Sequence, residues 1–157
     1  MKKFPWKTYA AWILLAEAVG GLAGWLTREG TKLYTESIVQ PPLSPPAIVF
    51  PIAWAVLYAL MGISATRIRM APPSGDRRLG LRLFVGQLAF NFFWSIIFFD
   101  LQWFGFALAW LVALWALIAA MVLVFYRVEL LAARLQLPYL VWVAFAGYLN
   151  AGVWLLN

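Results

Sequence analysis

Five long apolar runs constrain this chain more than any other feature of its sequence. They cover residues of about 9–26, 47–67, 82–100, 103–126 and 137–156, and each is close to the roughly 20 residues that a helix needs to cross a bilayer. The runs are apolar on every face, whereas the strands of a membrane barrel alternate polar and apolar residues. We therefore expect an all-α fold, in which residues 1–157 form a single integral membrane bundle of five transmembrane helices.

The charged residues lie between these runs and predict the orientation of the bundle. Five spans bring the N-terminus and the connections 67–82 and 127–136 to one side, which then holds ten basic residues, namely Lys2, Lys3, Lys7, Arg67, Arg69, Arg77, Arg78, Arg82, Arg127 and Arg134. The other side holds only Arg28 and Lys32. Because basic residues favour the cytoplasmic side, we expect a cytoplasmic N-terminus in a bacterial inner membrane, with the C-terminus opposite. The charge is thus a topology signal, and we expect no nucleic-acid partner.

The chain contains no histidine and no cysteine, which removes several kinds of chemistry. Disulfides, thiolate nucleophiles, Cys/His zinc sites and a His or Cys ligand to haem iron are all excluded. The sequence also offers no acid/base pair and no nucleophile–base constellation. We therefore expect no metal site and no conventional catalytic residues.

The one long connection, about 27–46, ends in the proline-rich segment QPPLSPP, which disfavours regular helix. Long loops are often functional, so this connection is interpreted either as a lid over a binding cavity or as a rigid connector. We call residues 27–46 the lid segment.

Three of the runs carry aromatic or polar side chains at helical spacing. The faces they form are Phe50, Trp54 and Tyr58; Gln87, Asn91 and Trp94; and Tyr139, Trp142, Ala146 and Asn150. If the faces converge, they enclose an aromatic slot that suits a flat, largely apolar ligand. Periodicity alone leaves open that the rings only pack the core.

Glu17 is the only acidic residue well inside an apolar run, and an intramembrane carboxyl is a functional candidate by default. Three roles are open: it pairs with a loop arginine, it stays protonated and hydrogen-bonded, or it faces a cationic or amine-bearing ligand. Gly20, Gly21 and Gly24 follow it and would let a helix or a ligand approach the backbone closely.

Three sequence blocks carry a resemblance to a known family. They are SPPAIVFPIAWAVLYALMG at 44–62, GQLAFNFFW at 86–94 and PYLVW at 138–142, the last followed by Ala144, Phe145, Ala146, Leu149 and Asn150. Over nearly its whole length the chain resembles the TspO/MBR family, the tryptophan-rich sensory proteins and translocator proteins that include the peripheral-type benzodiazepine receptor.

The resemblance implies a five-helix bundle, commonly a homodimer, with a ligand cavity closed by the first outer loop. Its ligands would be porphyrin-type tetrapyrroles such as protoporphyrin IX or haem, with no cofactor required. Together with Phe50 and Gln87 from the same helical faces, the matching positions give an expected binding set of Tyr34, Phe50, Trp54, Tyr58, Gln87, Asn91, Trp94, Trp142, Ala146 and Asn150.

Three functions follow as hypotheses. The first is a membrane receptor or carrier for porphyrin-type tetrapyrroles, linked to tetrapyrrole handling and to stress or environmental sensing. The second is light-dependent oxidative porphyrin degradation, with Trp54 and Trp142 as oxidisable neighbours of the ligand. The third is a helical assembly partner with a vestigial site, since the chain has Leu33, Leu43 and Ile48 where many members of the family have tryptophan.

The cholesterol motif proposed for animal members of the family needs a basic residue after a tyrosine near the C-terminus. No basic residue follows Tyr148 here, which weakens any claim of sterol-specific binding.

Overall fold

The computed structural model describes residues 3–157, and in that range it is helical with no β-strand. Its elements are α1 (Trp6–Leu26), α2 (Arg28–Ser37), α3 (Val49–Arg69), α4 (Gly75–Ser95), a π-helical turn (Ile96–Asp100), α5 (Phe104–Val128), α6 (Leu130–Leu135) and α7 (Leu137–Leu156). Lys2, one of the residues used to predict orientation, lies outside the described range.

Five stretches of this fold are long and apolar enough to cross a membrane, which confirms the expected fold class. They are Trp6–Leu26, Val49–Arg69, Gly75–Asp100, Phe104–Val128 and Leu130–Leu156. Large apolar side chains such as Leu14, Val112 and Val141 are exposed on the outer faces of these helices. In water that exposure would be unfavourable, whereas in a bilayer these faces contact lipid.

The third span begins earlier in the chain than the apolar run predicts. Ser74 caps α4, and its hydroxyl accepts a hydrogen bond from the backbone N–H of Arg77 at 3.0 Å. A serine cap is favourable because it satisfies one of the unpaired N–H groups at a helix start. Arg77, Arg78 and Arg82 therefore belong to the first turns of α4 and not to the connection before it.

The connection expected at 127–136 is almost entirely helical. Glu129 interrupts it with extended backbone, and its carboxylate accepts from Leu131 N at 3.3 Å, capping α6. The same carboxylate accepts two hydrogen bonds from Arg67, at 2.7 Å from Nε and 3.0 Å from Nη2. This ion pair joins the end of α3 to the junction of α5 and α6.

The helices pack closely at the end of the bundle away from α2. Gly62 of α3 lies directly against the backbone of Ile13 in α1, where any side chain would collide. The centre of this half is filled by fully buried apolar side chains, among them Met61, Phe84, Ile118 and Phe125. The other half, under α2, is less completely filled.

Candidate ligand cavity

A cavity of about 640 Å³ lies in the half of the bundle beneath the lid segment. Its walls come from α1, α3, α4, the π-helical turn and α7, and it is covered by α2 and the proline-rich end of the lid segment. The volume is within the roughly 300–1,000 Å³ typical of small-molecule sites. Most of the lining is apolar or aromatic, which suits a hydrophobic ligand.

Trp54 is the centre of an aromatic corner on one side of this cavity. Its ring stacks on Tyr58 with centroids 5.6 Å apart, and it meets Trp142 edge-on at 6.3 Å and 88°. Phe50 extends the corner and packs against Trp142 at 6.1 Å. The four-residue spacing on α3 thus builds one continuous wall with the facing ring of α7.

The opposite wall is built around Trp94 and the π-helical turn. Trp94 stacks on Phe98 at 5.0 Å, and its Nε1–H donates to Asn150 Oδ1 at 3.1 Å. Asn150 in turn donates to the carbonyl oxygen of Phe104 at 2.8 Å, so its amide is fixed from both sides. A π-helical turn shifts the register of the side chains that follow it. Here it brings both Phe98 and Phe99 to the cavity.

A chain of buried hydrogen bonds lies beneath the aromatic corner. Tyr58 donates to Asn91 Oδ1 at 3.1 Å, Asn91 donates to the hydroxyl oxygen of Tyr139 at 2.8 Å, and Tyr139 donates to Gln87 Oε1 at 2.7 Å. All four side chains are at most 5% exposed. The hydroxyl groups and amide oxygens of this chain all have partners, whereas the Gln87 side-chain nitrogen is buried without one. The three hydrogen bonds hold these side chains in one arrangement.

Nine of the ten expected binding residues line the cavity, and Gln87 does not. Gln87 lies one turn below Asn91 on α4 and is fully buried beneath the floor, where it accepts the Tyr139 hydrogen bond. The polar stripe of α4 therefore has two parts: Asn91 and Trp94 reach the cavity, while Gln87 holds Tyr139 in place.

The lid segment is held down at several points. Tyr34 of α2 is buried against Phe98 and Phe99, with ring centroids 5.4 Å apart in both pairs, and burial raises the pKa of its hydroxyl. Asn157 bonds both backbone groups of Val39, accepting from its N–H at 3.1 Å and donating to its carbonyl at 2.8 Å. Tyr148 donates to the carbonyl of Pro42 at 2.6 Å. The segment thus covers the cavity and is fixed against the π-helical turn and α7, which agrees with either interpretation.

The α1 side of the cavity was not anticipated from the helical faces. Glu17, Gly20, Gly21 and Gly24 all line it, and Glu17 makes no hydrogen bond or ion pair with any of residues 3–157. Of the three roles left open for Glu17, pairing with a loop arginine is therefore absent within that range. Arg28 instead packs over the Trp25 ring and donates to the Trp25 carbonyl oxygen at 2.7 Å. In the sequence, the one signal for this side of the cavity was an acidic residue, Glu17, inside an apolar run.

The chemistry of the lining is that of stacking and hydrogen bonding. No group of three or more His, Cys, Asp or Glu side chains in the described part of the chain is placed to hold a metal ion. The Trp142 Nε1–H is buried and has no acceptor.

A bundle of five membrane-spanning helices around a partly enclosed aromatic cavity defines an integral, multi-pass membrane protein. The chain belongs to the TspO/MBR family, whose sequence profile matches residues 12–155. It is 36% identical to protein CrtK of Rhodobacter capsulatus over 151 residues, covering 96% of this chain and 93% of the relative. It is 35% identical to the tryptophan-rich protein TspO of Chlorobaculum tepidum, covering 96% of each chain, and 35% identical to the Bos taurus translocator protein, covering 96% and 90%. The family inferred from the three sequence blocks is confirmed.

Proposed function

We propose that this protein is a membrane receptor or carrier that binds porphyrin-type tetrapyrroles and related flat hydrophobic ligands in its cavity. The role would be tetrapyrrole handling linked to stress or environmental sensing. The observation that carries the proposal is the right-angled corner of Trp54 and Trp142, extended by Tyr58, in a cavity of about 640 Å³. A planar macrocycle inserted here stacks on one ring and meets the other edge-on.

The chemistry of the lining supports a ligand held without a metal bond. Each stacked aromatic pair contributes about 0.5–1.5 kcal/mol beyond area burial. Because the chain has neither histidine nor cysteine, metal-free protoporphyrin IX should bind about as well as haem.

Titration with protoporphyrin IX, followed by quenching of tryptophan fluorescence, tests the proposal. Trp142→Leu removes one aromatic wall of the corner, so we expect about tenfold weaker binding, equivalent to about 1.4 kcal/mol. Trp6→Leu is the matched control, since Trp6 is exposed at the end of α1 that is remote from the lid segment. Absence of saturable quenching in the wild type, or equal affinities in all three proteins, would refute the proposal.

We also propose that the N-terminus is cytoplasmic and the C-terminus lies on the opposite side. The basis is the ten-to-two distribution of basic residues between the two sides. Since the chain has no cysteine, single substitutions report topology without background. An impermeant maleimide should label Lys32→Cys in intact cells, and Pro73→Cys only after permeabilisation. Labelling of Pro73→Cys in intact cells, and of Lys32→Cys only after permeabilisation, would show the opposite orientation.

Light-dependent oxidative breakdown of a bound porphyrin is the second candidate function. The observation that favours it is the direct contact of two oxidisable indoles, Trp54 and Trp142, at the cavity wall. Illumination of the complex in air should then bleach the porphyrin and yield a defined product. A Trp54→Phe/Trp142→Phe protein that still binds porphyrin and bleaches it at the same rate would exclude these two residues from the reaction.

A further inference from the structure

Glu17 is the one acidic or basic side chain among the described residues that line the cavity. The rest of the lining is aromatic, aliphatic or neutral polar, and none of it is lysine or arginine. A carboxylate at membrane depth is unfavourable unless a donor or a cation compensates it. Within residues 3–157 the protein supplies neither, because the two ion pairs found there are Arg67–Glu129 and Arg127–Asp76.

The space next to Glu17 is open to an incoming group. Gly21 lies one turn after Glu17 on the same face of α1, and a Cβ atom added to Gly21 or Gly24 would meet no other atom within 4 Å. Gly20, by contrast, lies directly against the Tyr58 ring, so α1 stays close to the aromatic corner. A ligand stacked in that corner therefore has room to extend a substituent along the glycine face towards the carboxyl.

We propose that Glu17 makes the cavity selective for flat aromatic ligands that carry a basic amine. A protonated amine beside the carboxylate would compensate its charge, and in this low-dielectric site the pairing is stronger than at a protein surface. Ligand carboxylates gain no such partner, so Glu17 gives no preference to a free porphyrin acid. This inference rests on the proposed function, since it assigns a substituent preference to the same site.

Three derivatives of one macrocycle test it: protoporphyrin IX, its dimethyl ester, and its diamide with two primary aminoethyl groups. The full-length protein is titrated with each in lipid nanodiscs by fluorescence quenching. We expect the amine derivative to bind the wild type about tenfold more tightly than the neutral ester. Glu17→Gln should reduce this ratio to about one, whereas Glu17→Asp should preserve most of it.

Glu36→Gln is the matched control, because it removes one negative charge from an exposed position of the lid segment outside the cavity lining. It should keep the tenfold ratio. Equal binding of ester and amine by the wild type would overturn the role of Glu17 while leaving the porphyrin site intact. Saturable binding of none of the three would refute the proposed function itself. An unchanged ratio in Glu17→Gln would assign the preference to another group and overturn the inference.

Discussion

At the scale of single residues, Tyr58 is held by constraints from three helices. Its ring stacks on Trp54, its face contacts Gly20 of α1, and its hydroxyl donates to Asn91 of α4. The side chain is 5% exposed, so it has little room to move without breaking one of these contacts. The position of the Tyr58 ring, and with it the shape of the cavity floor, therefore depends on the absence of a side chain at Gly20.

Two neighbouring glycines allow a controlled test of this dependence. Gly20→Ala places a methyl group into the Tyr58 ring, and we expect a loss of about 1–3 kcal/mol in unfolding free energy from overpacking. Gly21→Ala adds the same methyl group in open space and should leave stability unchanged or slightly higher. Thermal unfolding of the purified proteins in one detergent measures both. Equal losses would show that the Tyr58 contact does not limit the packing of α1.

At the scale of elements, the lid segment and the C-terminal end of α7 act as one unit. The Asn157 amide forms both bonds to Val39, while Tyr148, further back on α7, bonds Pro42. Neither contact comes from the residues that line the cavity, yet both keep its cover in place. We therefore expect the rate of ligand exchange to depend in part on residues outside the cavity lining.

Removal of one of these ties should increase the mobility of the lid segment. Asn157→Ala leaves the N–H and the carbonyl of Val39 without their partner, so we expect faster hydrogen exchange at Val39 and faster ligand dissociation, each by roughly tenfold for a loss of about 1.4 kcal/mol. Leu156→Ala, which removes an exposed apolar side chain next to it, is the control. An unchanged rate of hydrogen exchange at Val39 would show that the Asn157 hydrogen bonds do not hold the lid segment in place.

The junction of α3, α5 and α6 should respond to pH through Glu129. The hydrogen bonds from Arg67 lower the pKa of the Glu129 carboxyl, so folding favours the ionised form. Its stabilising contribution is present above the ordinary pKa of glutamate and is lost as the pH falls through the lowered value. Since both side chains are partly exposed, we expect the Arg67 pair to contribute about 0.2–1 kcal/mol.

Glu129→Gln tests this dependence. The variant should be less stable than the wild type at neutral pH, and the difference should shrink as the pH falls through the lowered pKa of Glu129. Chemical unfolding at a series of pH values measures it. A difference that stays constant down to strongly acidic pH would assign the effect to the cap of α6 and not to the charge.

Much of this arrangement could be predicted from the sequence, because it depends on local patterns. The lengths of the apolar runs predicted the number of membrane spans, and a spacing of three or four residues identified Trp54, Tyr58, Asn91 and Trp142. The features that could not be predicted depend on the register of side chains along a helix and on contacts between residues far apart in the chain. The π-helical turn brings Phe98 and Phe99 to the cavity by a local change of helical pitch, and the position of Gln87 below the floor depends on the Tyr139 hydroxyl across the bundle.

At the scale of the whole molecule, the two halves of the bundle have different tasks. The half with fully buried apolar side chains such as Met61 and Phe84 stabilises the fold, and the half beneath the lid segment holds the cavity. α1 contributes to both halves although only Ala16 and Ala23 along its length are buried. Most of its surface therefore remains free for lipid or for a second copy of the chain.

The homodimer implied by family resemblance stays a prediction at this scale. We expect the protein in nanodiscs to have twice the protomer mass of 17.7 kDa by single-particle mass measurement, after correction for lipid and scaffold. Dilution of the protein with excess lipid before reconstitution provides the control for accidental co-capture. A single protomer at every protein-to-lipid ratio would contradict the prediction.

Gly21 and Gly24 are exposed on α1 and at the same time line the cavity. The lining of the cavity is therefore continuous with an exposed face of α1, so under the proposed function we expect a hydrophobic ligand to enter from the bilayer. For a hydrophobic ligand that partitions strongly into lipid, occupancy follows the mole fraction in the membrane and not the concentration in water. If the protein binds such a ligand as proposed, the amount of ligand needed to saturate it rises with the amount of membrane around each molecule.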